Sequence, residues 1–193
     1  MLGSVMTIAQ RRTYQLRVAL SGAKPPIWRR FLVSPTMPLS ELHDVLQVVM
    51  GWEDCHLHQF RQGERCYERP NPWADGLGPA SVDSRKVRID QLLRKPKDWI
   101  AYLYDFGDGW RHRVTLQKIL PFDPSLRLPV CIAGKRACPP EDCGGLWGYY
   151  EMLEALGDPG HEQHEDMVDW IGSFDPDEFH LADVNVQLGA RWK

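Results

Sequence analysis

Asp105-Phe106-Gly107-Asp108-Gly109-Trp110-Arg111-His112 is the stretch on which the fold reading turns, because it sits between two strand-like runs, Trp99 to Tyr104 and Arg111 to Leu120. The Gly107-Asp108-Gly109 run supplies the positive φ angles that a tight connection demands, so the whole segment reads as a β-hairpin. Beyond the turn, His112 shares a strand face with Val114 and Leu116, whereas Arg113, Thr115 and Gln117 point the other way. An imidazole entering a core needs a partner. Either it is neutral and hydrogen-bonded to Asp105, Asp108 or a backbone carbonyl, or it ligates a metal.

Working outward towards the N-terminus, Tyr14, Leu16, Val18 and Leu20 alternate with Gln15, Arg17 and Ala19, the period of a half-buried strand. Lys24-Pro25-Pro26 breaks the chain, and Ile27 to Val33 reads as a second strand. Pro38 precedes Leu39, Leu42, Val45, Leu46, Val49 and Met50 at helical spacing, with Gly51 as the stop. Strand signals return at His56 to Gln62 and Arg65 to Glu68, before a Pro/Gly-rich loop from Pro70 to Pro79 that is expected to be mobile, with Trp73 as its anchor. A short helical turn covers Ile89 to Leu93.

After Pro121 the pattern predicts loops and two acidic helices. Leu146, Tyr150 and Leu153 form one apolar stripe ending at Gly157, and Met167, Trp170 and Ile171 form another ending at Gly172, before a turn at Asp175-Pro176. The expected order β-β-α-β-β-β-β-α-α is an α+β fold with a mainly antiparallel sheet, and its opening resembles a β-grasp. Residues 1–12 are expected to be a flexible segment and 13–193 a single domain.

The 193-residue chain carries a net charge of −3 and a pI near 6.2. No run reaches the roughly 18 apolar residues of a membrane span, and the first residues lack the pattern of a signal peptide, so a cytoplasmic protein without membrane contact is expected. Five cysteines with no export signal point to thiols or metal ligands rather than disulfides. Charge is unevenly placed: residues 1–120 hold 18 Lys and Arg against 12 Asp and Glu, and residues 121–193 hold 5 against 14. The acidic helices pack beside the basic sheet or face water. Alternatively, Arg29, Arg30, Arg61, Arg65, Arg85, Lys86 and Arg88 form a face for a polyanion.

Several constellations could carry chemistry. Cys138 and Cys143 flank the stiff Pro139-Pro140 loop at a spacing zinc tolerates, with Cys131 as a third ligand and His112 as a fourth. The competing readings are buried cysteines, or thiols activated by Lys135 and Arg136. His56 and His58, two apart on an expected strand, would lie on one face about 7 Å apart and could grip zinc or another divalent metal. Gly144-Gly145 ahead of a helix suggests a phosphate cradle, but Glu141 and Asp142 already occupy that positive end and would repel an anion. His161-Glu162-Gln163-His164 is one residue short of the zinc-protease signature, and Asp105-Phe106-Gly107 lacks the rest of a kinase.

Pro26-Ile27-Trp28-Arg29-Arg30, Leu39-Ser40-Glu41-Leu42-His43, Gly51-Trp52, His56-Leu57-His58-Gln59-Phe60, Tyr104-Asp105-Phe106-Gly107-Asp108, Trp110-Arg111-His112 and Cys138-Pro139-Pro140-Glu141-Asp142-Cys143-Gly144-Gly145 together resemble the plasmid pRiA4b ORF-3-like family, whose members are also labelled passenger proteins of an insertion element. The likeness runs from about Tyr14 to Asn185. It implies a cytosolic bacterial or archaeal protein of plasmids, mobile elements and chromosomes with an α+β fold, and no particular reaction. The leading expectation is a noncatalytic accessory module that binds an unidentified protein or nucleic acid through His56, His58, Asp105, Asp108, Trp110, His112, Glu141 and Asp142. A metal-dependent hydrolase or nuclease using His56, His58, Asp105, Asp108 and His112 is the alternative, and a nucleic-acid binder using the basic sheet is the second.

Overall fold

The computed structural model describes residues 12–70 and 81–192. Eight strands and five helices follow one another as β1 (Arg12–Leu20), β2 (Trp28–Val33), α1 (Leu39–Met50), β3 (His58–Gln62), β4 (Arg65–Glu68), β5 (Val82–Asp83), α2 (Ile89–Leu92), β6 (Trp99–Tyr104), β7 (Trp110–Pro121), β8 (Val130–Lys135), α3 (Gly145–Gly157), α4 (His164–Ile171) and α5 (Leu181–Arg191). One sheet holds all the strands in the order β5-β4-β3-β6-β7-β1-β2-β8. Its pairs are antiparallel except β4 with β5.

The expected α+β class with a mainly antiparallel sheet therefore stands. The likeness to a β-grasp is not borne out by this order, in which the central neighbours β6, β7 and β1 all run antiparallel. Most of residues 1–12 and of the Pro70–Pro79 loop, with Trp73, lie outside the described residues, and Arg12 already belongs to β1.

Period-two patterning decides which face of the sheet is dry. Leu16, Val18, Phe31, Val33, Phe60, Ile100, Tyr102, Val114 and Leu116 all point to one side and are fully buried. α1 lies on that side, sinking Leu39, Leu42, Val45, Leu46 and Val49. Each such side chain is worth roughly 1.5–3 kcal/mol on burial. Packing of this stripe holds the helix, since Pro38 offers no side-chain cap and only Gly51, at φ 91°, closes the C-terminal end.

Four expectations need correction. β8 forms where loops were expected: Val130–Lys135 carries a glycine and a cysteine instead of an alternating apolar run, and pairs with β2 across a bulge between Arg30 and Phe31. α5 was not foreseen either, because Leu181–Arg191 has only Leu188 fully buried and no side-chain cap. The apolar face of α3 is rotated from the expected stripe: Tyr149, Met152 and Ala155 are buried, whereas Tyr150 is partly exposed. α4 buries none of its residues completely, and Trp170 remains half exposed.

α5 covers the outer strand. The Asn185 side chain accepts from the Cys131 N–H at 2.8 Å and donates to the Cys131 carbonyl at 2.9 Å. Arg29, expected on a basic face, is instead buried. It donates to the carbonyls of Val49, Trp28 and Lys135 and lies 4.1 Å over the Phe179 ring. Gly134 leaves the room this needs, as a Cβ there would fall 2.4 Å from Phe179 and 2.8 Å from Arg29.

Candidate metal centre

Three connections meet where β6 turns into β7: the α1–β3 loop, the hairpin turn, and the β8–α3 loop. The hairpin contributes Asp105, whose φ of 54° lies in the left-handed region that Asp tolerates better than most residues. Its N–H donates to the Leu57 carbonyl at 2.9 Å, its carbonyl accepts from the Gly109 N–H at 2.8 Å, and its Oδ1 accepts from the Gly107 N–H at 2.8 Å. Asp105 Oδ2 is left facing His56 Nε2, 3.8 Å away.

Glu141 arrives from the β8–α3 loop. Its Oε1 accepts from the Glu53 N–H at 2.9 Å and from the Tyr104 hydroxyl at 3.0 Å. Tyr104 in turn accepts from the Cys55 N–H at 3.1 Å, and burial raises its phenol well above the usual range, so it remains a donor to the carboxylate. Glu141 Oε2 lies 3.8 Å from His56 Nε2 and Asp142 Oδ1 lies 3.1 Å from it. Even so, His56 Nε2 and Glu141 Oε2 are shielded from solvent and form no aligned hydrogen bond.

Unmade hydrogen bonds on buried polar atoms cost roughly 1–3 kcal/mol each, more for charged groups. A cation among these atoms would remove that cost and neutralise the crowded carboxylates. Within the groups Cys55–His56–Glu141 and His56–Asp105–Asp142, one ligand atom per residue lies within 4.8 Å of the others. Donors around an ion with bonds near 2.1 Å stand roughly 3–4.2 Å apart, so only small closures are needed. The imidazole and carboxylate set suits zinc or manganese rather than a soft thiolate metal.

Below this outer group lies an inner one. His43 on α1 is held at both nitrogens: Nε2 is 2.6 Å from Asp54 Oδ1, and Nδ1 is 2.8 Å from the Tyr102 hydroxyl. Gln47 donates to that hydroxyl at 2.9 Å and accepts from the Asp54 N–H at 3.0 Å. The His58 ring stacks on His43 with centroids 3.4 Å apart, and its Nε2 is buried without a partner. Burial, aided by His43, lowers the His58 pKa to about 3, so this ring is neutral at ordinary pH, and burial lowers His43 too, against the opposing pull of Asp54. His43, Asp54 and His58 also bring ligand atoms within 4.8 Å, but the hydrogen bonds of His43 are already complete.

The structure separates residues that the sequence grouped. His56 precedes β3 and only His58 lies in it, so the two do not form a same-face pair on one strand. His112 is buried behind Trp52, whose ring meets it edge-on at 5.1 Å, and its Nδ1 lies 3.4 Å from the Tyr102 carbonyl. Among the described residues, no group of three clustered ligand atoms draws on His112, Cys131, Cys138 or Cys143, so the Cys₃His arrangement is not assembled. Cys131 Sγ turns to the carbonyls of Arg30 and Ala133. Burial raises the Cys138 and Cys143 thiols, the latter to about 12, which opposes the activated-thiol reading. Asp108 accepts from the Gly144 N–H at 3.1 Å and Trp110 is core, so both support the site instead of lining it.

Sequence reasoning missed His43, Asp54, Tyr102 and Tyr104. One signal was present: His43 falls within the apolar stripe of α1 beside Leu42 and Leu46, where a histidine must be buried and paired.

The described residues contain no helix long and apolar enough to cross a membrane. A family model described as plasmid pRiA4b ORF-3-like protein matches residues 12–183. The chain is 41% identical over 188 residues to a Sinorhizobium fredii (strain NBRC 101917 / NGR234) protein called uncharacterized protein y4hQ, spanning 92% of this chain and 93% of that one. It is also similar to the crystal structure of a protein of unknown function, MM3350, from Methanosarcina mazei Go1, with a TM-score of 0.81 and 39% identity over 90% of this chain and 97% of that one. The sequence blocks quoted above and this agreement along nearly the whole length lead to one assignment: the chain belongs to the plasmid pRiA4b ORF-3-like family.

Proposed function

We propose that the protein is a binding module organised by a divalent cation, held by His56, Asp105, Glu141 and Asp142. One observation carries the reading: His56 Nε2 and Glu141 Oε2, both buried and without aligned partners, face each other at 3.8 Å with Asp105 Oδ2 at the same distance from the nitrogen. The ion would tie together three loops that are distant in sequence and fix the surface they form. Tyr104 and the Glu53 N–H hold Glu141 in place as outer partners.

Tag-free protein titrated with zinc or manganese should bind one equivalent, and at a free-ion level 100 times the Kd the fold should gain about 2.7 kcal/mol. For a chain of this size that is roughly 5–10 °C in Tm. Asp105→Asn and His56→Ala should each weaken binding about tenfold or more. Absence of stoichiometric binding, or an Asp105→Asn variant that binds as well as the wild type, refutes the proposal.

A hydrolase reading draws on one feature. The side chains of Asp142 and His56 are 71% and 26% exposed, so one side of the ion would open to water that it could activate. Metal-dependent cleavage of an activated phosphodiester, abolished in Asp105→Asn, would favour that reading over pure binding.

A further inference from the structure

The sheet face away from α1 carries an unusual arrangement of charge. In β1, β2, β3, β6 and β7 this face presents Arg17, Arg30, Arg61, Arg111 and Arg113, and no Asp or Glu. The register places them in rows. Arg30, Arg17, Thr115 and Trp99 follow one another across β2, β1, β7 and β6. In the adjoining row Trp28, Ala19, Arg113, Ala101 and Arg61 cross five strands, with the alanines leaving shallow gaps between the longer side chains. At a strand spacing of about 4.8 Å the patch is roughly 20 Å wide.

Elsewhere in the protein Arg69, Arg85, Arg88, Arg136 and Arg191 each sit against a carboxylate. Among the described residues, none of the five on the sheet face has a carboxylate partner within ion-pair distance. Three of them lie against two tryptophans: Arg17 and Arg30 are 5.2 and 5.4 Å from the Trp28 ring, and Arg113 lies 4.3 Å over Trp99. Trp99 is 45% exposed. Beside it opens a cavity of about 490 Å³ lined by Arg61, Ala101, Leu103, Arg111 and Arg113. Like charges held together without counterions beside one exposed and one partly exposed indole ring favour a partner that brings both negative charge and flat rings.

We infer that this face binds single-stranded nucleic acid, with phosphates on the arginine forks and a base stacked on Trp99. The chemistry follows from the residues: guanidinium forks match phosphate oxygens, and a base stacked on an aromatic side chain is worth roughly 1–3 kcal/mol whatever its identity. A sheet presents such a platform to a strand whose bases are free, whereas a paired duplex hides their faces. The set differs from the one that sequence alone suggested, since Arg29 is buried and Arg85 and Arg88 are paired with Asp83 and Asp90. It also stands apart from the cation proposal, because it uses none of the four residues at the metal centre.

The test is fluorescence anisotropy with labelled 15-nucleotide single-stranded DNA and RNA, the corresponding duplex, and heparin, all in chelator so that the cation site plays no part. Single strands should bind in the micromolar range at 50 mM salt. With three to five phosphates engaged, the slope of log K against log salt should lie near −2 to −3.5. Arg113→Glu and Arg61→Glu should each weaken single-strand binding at least tenfold without lowering Tm, as both side chains are exposed. Trp99→Ala should weaken single-strand binding at least fivefold and leave heparin binding unchanged. The two single-strand probes show whether the sugar is discriminated. No binding of either single strand at 50 mM salt, tighter binding of the duplex, or equal loss of heparin and oligonucleotide in Trp99→Ala would overturn the inference.

Discussion

Acidification offers a quantitative test of how His112 is housed. The ring is fully enclosed, and burial lowers its pKa from 6.5 to about 4 despite weak opposing contacts with the backbone of Tyr102 and Trp110. Between those two values the unfolded chain takes up a proton that the folded chain refuses, so stability is complete above pH 6.5 and falls as pH drops towards 4. Below that no further change comes from this group. At 1.36 kcal/mol per pH unit the full loss is about 3 kcal/mol, of which about 2 kcal/mol has gone by pH 5. The measurement is urea unfolding at pH 7 and pH 5, followed by tryptophan fluorescence, for the wild type and His112→Leu. Leucine fills much of the same space and removes a nitrogen, Nε2, that has no partner. The wild type should lose about 2 kcal/mol more than the variant over this interval. If the two lose stability in parallel, His112 is not held neutral in the core, and its placement behind Trp52 is wrong.

Two further outcomes concern the scaffold around the centre. Gly145 has φ 70°, and a Cβ there would lie 2.5 Å from the Asp108 carbonyl oxygen, so Gly145→Ala should destabilise the fold by more than about 1 kcal/mol. Gly189→Ala is the control: it sits in α5 with open space around it, and should stabilise by roughly 0.5–1 kcal/mol. Both are read from the urea midpoint. In native protein at pH 8, a thiol reagent should modify Cys55 before Cys131, Cys138 or Cys143: desolvation raises all four thiols, but only Cys55 is exposed to the reagent. Mass spectrometry of the partly modified protein gives the order, and early labelling of Cys138 would contradict its enclosure.

The strands and helix that the sequence revealed are those whose periodicity is uninterrupted. β7 buries every second residue from Trp110 to Leu116, β1 does so from Leu16 to Leu20, and α1 sinks one stripe along its twelve residues, patterns that have one physical solution. β8 is held by the Asn185 amide of α5 and by the Gly134 contact with Phe179 just before that helix rather than through apolar periodicity, so neither element announces itself locally. The same distinction holds at the centre. Asp105, His56, Glu141 and Asp142 were visible as unusual residues in unusual loops, and the three segments do converge. Which donors face one another depends on loop paths through left-handed backbone at Asp54, Asp105 and Asp142, and no spacing rule encodes those paths. The cysteines stood out by rarity alone: Cys131 is buried, Cys66, Cys138 and Cys143 are partly buried and Cys55 is exposed.

The Asn185 amide on β8 has a consequence for how the molecule tolerates shortening. A terminal strand with bare peptide groups is a template on which another chain can stack, and one N–H and one carbonyl of this strand are already taken by the carboxamide. Because the family match ends at residue 183 and α5 runs from Leu181 to Arg191, trimming the protein to the matched region would remove that guard. Such a fragment would carry an adhesive margin and associate edge to edge, although every motif near the hairpin was left in place.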